Sequence, residues 1–290
     1  MVRTVTVTSL GELVEAVVQA QGGVEGSTSR NRYWFRGHRL GTTYELLPAV
    51  FRQIPSEERK RVERLLTHAF RSRAPMHLAK DVGYNDRSRW LSLMQHHGLP
   101  TRLLDWSRSP LVAAFFAVER YLPQFFEAVR PPEEAPVVWM MDPYGLNKCT
   151  CPAEGGTVGA VESGVLSPLV TEAFYDYQFH GKGFEPVAIQ PQIYAATSVE
   201  TDIRMFAQQG CFTIHGAESQ AMEKTSQIQH VLTRIEILSA AAPRVAEELD
   251  ACGVREAVIY PDLDHLAIEL VRDSPLPWAW KHAMMRGAPR

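Results

Sequence analysis

The chain has few cysteines and no long apolar segment, and both absences limit where it can function. Its four cysteines (Cys149, Cys151, Cys211 and Cys252) are too few and too unevenly spaced for a disulfide framework, as in proteins of a reducing compartment. Residues 1–18 lack the continuous apolar stretch of a secretion signal, and no later segment approaches the roughly 20 apolar residues that span a bilayer. We therefore expect a cytoplasmic protein without a membrane partner.

Signatures of several enzyme classes are missing as well. The sequence contains no GxGxxG after a strand, no Walker A loop, no HExxH and no GxSxG. Rossmann dehydrogenases, P-loop NTPases, zincins and α/β-hydrolases in their usual forms are therefore excluded. Cys149 and Cys151 have no second Cys or His pair at zinc-binding spacing, and Asp262 and Asp264 fit a helix cap better than a cation site. We expect no metal.

Neither sign of charge dominates the chain. Its 30 Lys and Arg against 33 Asp and Glu give a formal net charge of −3, so a site for a polyanion must be a local patch. With 290 residues and 45% hydrophobic content, the chain has enough apolar material for a full core.

The hydrophobic periodicity predicts helices and short strands in irregular alternation. Helices are predicted from Ser9 to about residue 20, from Ser56, from Pro110, after Ser198 and from about Pro243 to Cys252. Strands are predicted at 33–35, 137–141, 187–190, 211–215, 231–238 and 257–260, with a Gly-rich segment near 155–164. We expect one α+β domain over residues 1–290, with a central mixed or split β-sheet flanked by helices and no internal repeat.

The helix that begins at Ser56 carries a dense run of charges. Val62, Leu65, Leu66, Ala69 and Phe70 form one apolar stripe, which we expect to be buried. The charged residues that flank it, Glu63 among them, are expected to cover the solvent side.

A first polar cluster follows the aromatic run Tyr33–Phe35, in the sequence YWFRGH. A guanidinium cannot be left buried without a partner, so Arg36 must meet either an internal carboxylate or the anion of a ligand at the end of this strand. Gly37 allows a close approach of the backbone to a ligand, or a positive φ.

The second polar cluster is QHHGLPTRLLDWSRSPLVAAFFA at residues 95–117. Asp105 and Trp106 precede a helix N-terminus at Ser109, where free N–H groups favour a negative charge, so a phosphate-bearing ligand is one interpretation. In the other, Asp105 pairs with Arg36 or Arg102 and Ser109 only caps the helix. For the pair His96 and His97 we favour structural hydrogen bonds.

Four blocks of the sequence resemble the FRG domain family of bacteria and phages. They are FRGH at 35–38, QHHGLPTRLLDWS at 95–107 followed by SPLVAAFFA, RMFAQQGCFTIHG at 204–216 and YPDLDHLAIEL at 260–270. The resemblance implies an FRG-type domain whose motif-bearing core spans about residues 30–271, between an N-terminal helix and a short C-terminal tail. His265 departs from the pattern, which has a small residue there.

The order of these parts also resembles the layout of ADP-ribosyltransferases, and that resemblance implies an NAD site. Arg36 would grip NAD, the strand at 101–107 would support the nicotinamide pocket, and Gln209 would orient a ribose hydroxyl. Asp105 would stabilise the oxocarbenium ion that forms when the nicotinamide bond breaks, or deprotonate an acceptor. The resemblance thus implies three catalytic residues, Arg36, Asp105 and Gln209. The expected cofactor-binding residues are Arg36, Gly37, Thr101, Arg102, Trp106 and Ser107.

Three functions remain open at this point. The leading hypothesis is an NAD-dependent, ADP-ribosyltransferase-like toxin or antiphage effector that modifies RNA, DNA or protein and has a neutralising antitoxin as a possible partner. The alternative is a non-enzymatic nucleotide or nucleic-acid binding module of a bacterial defence or toxin-antitoxin system, in which Arg36, Arg102 and Arg108 hold phosphates. The third is an interaction domain whose polar cluster is a buried network.

Overall fold

A computed structural model describes residues 1–22, 33–78, 81–83, 86–122, 134–150, 159–160, 193–197, 203–216, 220–277, 280–281 and 284. The predicted strand at 187–190, the helix cap at Ser198 and most of the Gly-rich segment lie outside these residues.

The described strands form one mixed sheet. They are β1 (Arg3–Val7), β2 (Trp34–His38), β3 (Leu103–Ser107), β4 (Val137–Met141), β5 (Gly159–Ala160), β6 (Ile193–Thr197), β7 (Gly210–His215) and β8 (Leu232–Ile237). Their order across the sheet is β1-β8-β4-β2-β3-β7-β6-β5. The pairs β1 with β8 and β5 with β6 are parallel, and the other neighbours are antiparallel. The predicted α+β class and mixed sheet are confirmed.

Helices flank this sheet. They are α1 (Leu10–Gly22), α2 (Ala49–Gln53), α3 (Ser56–Arg73), α4 (Arg87–His96), α5 (Pro110–Val118), α6 (Pro143–Thr150), α7 (Ile203–Ala207), α8 (Ala242–Ala251), α9 (Glu256–Ile259) and α10 (Leu263–Asp273). Residues 257–260, predicted as a strand, belong to α9 and its C-terminal cap. An apolar run of four residues fits a helix as well as a strand, and periodicity cannot separate the two at that length.

The sheet splits between its two central strands. β2 and β3 pair at a single position, Phe35 with Ser107, whereas β2 forms five residue pairs with β4 and β3 forms five with β7. Beyond Phe35 the backbone of β2 no longer reaches β3. The Arg36 side chain spans this gap, since its Nη1 donates a hydrogen bond of 2.6 Å to the Asp105 carbonyl.

Apolar layers cover both faces of the sheet. On one face α1, α5 and α8 contribute a core that includes Leu13, Phe115 and Val245. On the other face the core includes Trp34, Trp106, Trp139 and Leu146, with a further cluster between α4 and β3. The central strand β4 is therefore buried on both sides, whereas three of the five residues of the edge strand β1 are exposed.

Helix α5 lies unusually close to β2 because Gly37 has no side chain. A Cβ at Gly37 would lie 2.0 Å from the Ala113 carbonyl oxygen and 2.7 Å from the Ala117 nitrogen. The φ of Gly37 lies outside the left-handed region, so space and not backbone conformation requires glycine here. The helix begins as predicted, with the Ser109 hydroxyl accepting from the Val112 N–H at 3.4 Å.

Helix α3 buries a different face from the predicted one. Glu63 and Thr67 are 1% and 0% exposed, whereas Leu65 is 56% exposed. The prediction for Glu63 was wrong because periodicity places apolar groups inside and does not anticipate a buried ion pair. Glu63 forms that pair with Arg102 at 2.6 Å.

Helix α10 begins as the sequence indicates. The Asp262 carboxylate accepts from the His265 N–H at 2.9 Å, so Asp262 is an N-cap. His265 stacks on Tyr260, with ring centroids 4.6 Å apart, and its Nε2 lies 3.7 Å from the Glu256 carboxylate. The one residue that departs from the FRG pattern therefore has aromatic and acidic contacts in this loop.

We predict that Gly37→Ala destabilises the fold by about 3 kcal/mol or more, because the added methyl group overlaps backbone atoms that cannot move independently. The measurement is urea unfolding at neutral pH. The control is Gly11→Ala in α1, where the nearest atom to an added Cβ is 3.8 Å away. The free energy of unfolding of Gly11→Ala should equal that of the wild type or exceed it by up to about 1 kcal/mol. A loss below about 1 kcal/mol in Gly37→Ala would contradict the close packing of α5.

Candidate active site

The split in the sheet opens into a cleft of about 500 Å³. Its walls come from the diverging strands β2 and β3, from α4 and α5, and from α7 with the start of β7. This volume is in the range of pockets that bind small molecules and cofactors. The cleft therefore lies where the sequence places its two polar clusters.

Arg36 is held in the cleft by polar contacts on two sides. Its Nη1 lies 3.9 Å from the Asp105 carboxylate, and its Nε donates to Nε2 of His38 at 3.1 Å. Burial lowers the pKa of Arg36, and the Asp105 carboxylate partly offsets this effect. The side chain keeps 21% of its surface exposed to the cleft, so the guanidinium can still meet an anion there.

His38 fixes the orientation of Arg36. It is 3% exposed, and burial, with the nearby charges of Arg36 and Arg52 adding to it, lowers its pKa to about 2. A neutral ring leaves Nε2 free to accept the hydrogen bond from Arg36. The sequence motif RGH therefore supplies a cation and its own acceptor from the same face of β2.

Asp105 is the exposed position of β3, with 56% of its side chain accessible. Nε2 of Gln95 donates to its carboxylate at 2.7 Å, and Oε1 of Gln95 accepts from the Thr101 hydroxyl at 2.5 Å. Thr101 is fully buried, so it contacts no cofactor directly and instead positions Gln95. Asp105 thus lies within ion-pair distance of Arg36 and also faces the cleft.

Arg102, expected to bind the cofactor, lies away from the cleft. It is 3% exposed, and it donates to the Glu63 carboxylate at 2.6 Å and to the Gly216 carbonyl at 2.7 Å. Its guanidinium also lies 5.3 Å from the centre of the Phe51 ring. Arg102 therefore joins α2, α3 and the end of β7 beneath the site. The expectation failed because alternation along a strand does not tell which arginine has a buried carboxylate opposite it.

Trp106 and Ser107, the other two residues expected to bind the cofactor, line the cleft, and their polar atoms bond to protein. Nε1 of Trp106 donates to the Thr213 hydroxyl at 3.1 Å. The Ser107 hydroxyl donates to the Gln208 carbonyl at 2.8 Å and accepts from the Ser109 N–H at 3.0 Å. These two residues therefore shape the wall and connect β3 to the turn before β7.

Gln208, and not Gln209, reaches the cleft. Gln209 is an exposed turn residue with φ of 49°, and its carbonyl accepts from the Arg108 N–H at 3.0 Å. Gln208 lines the cleft, and its Nε2 donates to the Ile259 carbonyl at 3.2 Å. Adjacent glutamines are equivalent to sequence reasoning, and the turn that follows α7 decides between them.

Glu119 is a cleft residue that the sequence analysis missed. It follows the apolar helix α5, and 26% of its side chain is exposed. Burial raises the pKa of Glu119, although Arg39 at 3.8 Å opposes the rise. A carboxylate directly after an almost wholly apolar helix is a signal that could have identified it, because such a helix must end at the edge of a core.

Further cations and rings complete the cleft. The lining arginines besides Arg36 are Arg39, Arg52 and Arg204, and the guanidinium of Arg204 lies 4.7 Å from the centre of the Tyr260 ring. Tyr44 and Phe116 add aromatic surface. The cleft thus combines groups that bind anions, apolar surfaces against which rings can pack, and the carboxylates of Asp105 and Glu119.

Comparison with known proteins identifies one region. Residues 31–124 match the family model of the FRG domain. This region includes Arg36, Asp105 and Glu119, whereas the blocks at 204–216 and 260–270 lie outside it. Neither a curated protein nor a solved structure matches the chain. Within the described residues no group of His, Cys, Asp and Glu could hold a metal, and no helix could cross a bilayer.

We predict that Arg102→Met destabilises the fold by about 3–5 kcal/mol, because it leaves the Glu63 carboxylate buried without its cation. The double variant Glu63→Leu/Arg102→Met should recover most of that loss in urea unfolding, since no charge then remains inside. If the single variant unfolds like the wild type, Arg102 is not part of a buried pair.

We predict that His38 makes the protein less stable in acid. Its pKa in the folded state is about 2, below the value near 6.5 of an unfolded chain. The stabilisation is complete above about pH 6.5 and is lost as the pH falls towards 2, because only the unfolded state takes up the proton.

The corresponding measurement is urea unfolding of wild type and His38→Gln between pH 6 and pH 4. The free energy of unfolding of His38→Gln should fall less steeply with decreasing pH than that of the wild type, by about 1.4 kcal/mol per pH unit. The exposed His77→Gln is the control and should keep the wild-type slope. Equal slopes in wild type and His38→Gln would contradict a buried neutral His38.

Proposed function

We propose that the chain is an NAD-dependent, ADP-ribosyltransferase-like enzyme and that the cleft in the split sheet is its NAD site. One observation carries this proposal. The cleft holds a half-buried arginine, Arg36, whose Nη1 lies 3.9 Å from the Asp105 carboxylate, together with a half-buried glutamate, Glu119. A diphosphate and a developing ribosyl cation need these two kinds of group.

The proposed reaction breaks one bond at C1′ of the ribose in NAD and forms another at the same atom. The bond between the ribose C1′ and the nicotinamide nitrogen breaks, and nicotinamide leaves with the bonding electron pair. An acceptor nucleophile then bonds to C1′, and its proton passes to a general base. Arg36 holds the diphosphate, for which its hydrogen bond to the Asp105 carbonyl must open or be shared.

Glu119 takes the role that the sequence analysis gave to Asp105, which is to stabilise the ribosyl cation or to accept a proton. A half-buried carboxylate whose pKa is raised is a better proton acceptor than an exposed one, and its negative charge stabilises the ribosyl cation. Asp105 is the second carboxylate available for these steps, and the Gln208 amide is available to orient a ribose hydroxyl. Tyr44 and Phe116 offer faces for the nicotinamide or adenine ring.

The fold and the family both support this assignment. A mixed sheet that splits beside a buried helix fits the ADP-ribosyltransferase layout, and residues 31–124 match the FRG domain. As the FRG resemblance implies, the setting is bacterial conflict, in which the enzyme is a toxin or antiphage effector and a neutralising antitoxin is its expected partner.

The second candidate is a binding module without catalysis. Four arginines line the cleft, Arg36, Arg39, Arg52 and Arg204, and they suffice to hold a nucleotide diphosphate whether or not Glu119 acts. This candidate predicts tight binding of NAD or ADP-ribose and no release of nicotinamide.

We predict that Glu119→Gln still binds ADP-ribose but releases nicotinamide about 10²- to 10³-fold more slowly than wild type, because it removes one electrostatic contact to the transition state. Arg36→Gln should weaken ADP-ribose binding itself. The measurements are calorimetric titration with ADP-ribose and release of labelled nicotinamide from NAD in the presence of a bacterial extract.

The matched control is Glu247→Gln, which changes an exposed glutamate of α8 outside the cleft and should behave as wild type. Full nicotinamide release by Glu119→Gln would refute the role of Glu119. Binding of ADP-ribose by the wild type without any nicotinamide release would favour the binding module.

A further inference from the structure

An apolar stripe is exposed on helix α10. Leu263, Leu266 and Leu270 are 81%, 42% and 64% exposed, and their spacings of three and four residues place them on one face over about two turns. We call them the leucine stripe. All of α10 is described, and none of its residues lines the cleft. The stripe is therefore a surface that the proposed reaction does not use.

The opposite face of α10 packs against the protein and is largely polar. Within this helix, which is described over its whole length, Arg272 is the one buried residue. Its guanidinium lies 3.4 Å from the Asp250 carboxylate, and the neighbouring Glu269 lies 3.7 Å from Arg255. An amphipathic helix of a monomeric domain normally turns its apolar face inward. The reversed orientation of α10 leaves three leucines in water, and a contiguous exposed apolar patch is typical of an interaction site.

The leucine stripe lies in an acidic part of the chain. Residues 242–273, from α8 to α10, contain 8 Asp and Glu against 3 Lys and Arg, a net charge of −5, whereas the rest of the chain has 25 against 27, a net charge of +2. On the helix circumference Asp264 flanks the stripe on one side, and Glu269 and Asp273 flank it on the other. Arg255 offsets part of the charge of Glu269 and Asp273, whereas Asp264 is exposed.

These charges decide which occupant fits the stripe. Packing the stripes of two copies of this chain together would bring acidic flanks against acidic flanks in either orientation, because the one Lys or Arg of α10 is the buried Arg272. Like charges that meet at an interface weaken it. An anionic lipid surface is disfavoured for the same reason. A helix that carries an apolar stripe between lysines or arginines matches both the leucines and the carboxylates.

We propose that the leucine stripe of α10 is the docking site for a basic amphipathic helix of a partner protein. The leucines pack between the apolar residues of that helix, because both helices repeat these residues every three and four positions. The cations of the partner helix lie over Asp264 on one side and over Glu269 and Asp273 on the other, where they select the partner more than they add affinity. This inference does not depend on the chemistry proposed for the cleft.

The test is fluorescence anisotropy of the full chain with three labelled 18-residue peptides. The cationic peptide carries leucines at helical positions i, i+3, i+4 and i+7 between lysines. The anionic peptide has glutamate in place of each lysine, and the scrambled peptide has the cationic composition without the apolar stripe. We expect the cationic peptide to bind with a dissociation constant of about 100 µM or tighter, as a small transient interface does. The other two peptides should bind at least about tenfold more weakly.

Three variants locate the binding surface. Leu270→Lys should weaken binding of the cationic peptide at least about tenfold, because it interrupts the stripe and adds a like charge. The matched control is Leu65→Lys, which adds the same charge at a leucine of α3 that is 56% exposed and should bind as wild type. Both leucines are exposed, so both variants should keep the wild-type melting temperature. Asp264→Asn keeps the leucines and should weaken binding by about twofold to fivefold at low salt and less at high salt.

Each outcome supports or overturns the docking site. It is supported if the cationic peptide binds the wild type and Leu65→Lys equally and Leu270→Lys at least tenfold more weakly. It is overturned if the cationic peptide does not bind, if the anionic or scrambled peptide binds equally well, or if Leu270→Lys binds as wild type.

Two further measurements distinguish the other occupants. Sedimentation of the wild type as a dimer that Leu270→Lys converts to a monomer would overturn the proposal and assign the stripe to a second copy of the chain. Binding of the wild type to phosphatidylcholine vesicles that Leu270→Lys abolishes would overturn it in favour of a lipid surface. Release of nicotinamide enters none of these results, so the docking site and the proposed enzyme can fail separately.

Discussion

The guanidinium of Arg36 occupies the place where β2 and β3 stop pairing, and the candidate site depends on this placement. In a continuous sheet a backbone N–H of β2 would donate a hydrogen bond to the Asp105 carbonyl. Here the Arg36 side chain donates that hydrogen bond instead. Nε2 of the neutral His38 ring accepts a hydrogen bond from Nε of Arg36 and so keeps that side chain in place. The sheet can therefore stay open while this carbonyl keeps a hydrogen bond, and the opening is the cleft.

Two packed contacts keep the opening in shape. Gly37 lets α5 lie against β2, so the helix delivers Glu119 to the edge of the cleft. The buried pair of Arg102 and Glu63 ties α3 to the start of β3 and leaves the other side of α3 to carry its cations outward.

Sequence reasoning predicted the parts of this site that depend on local chemistry. An arginine after a buried strand, a capped apolar helix at Ser109 and a mixed sheet all follow from periodicity and caps. It did not show which of Gln208 and Gln209 lines the cleft, or that Arg36 faces the cleft and Arg102 does not. It also did not show that Glu63 is buried among charged residues that are mostly exposed. Those choices depend on which groups meet across elements distant in sequence, and Glu119 reaches the cleft only because α5 crosses β2 at Gly37.

A crystal structure with ADP-ribose bound tests most directly whether the split in the sheet is the ligand site. The diphosphate should lie between β2 and β3 within hydrogen-bonding distance of Arg36, and the terminal ribose should lie next to the carboxylate of Glu119 or Asp105. ADP-ribose bound elsewhere on the protein, with Arg36 still closed on the Asp105 carbonyl, would contradict this account of the cleft.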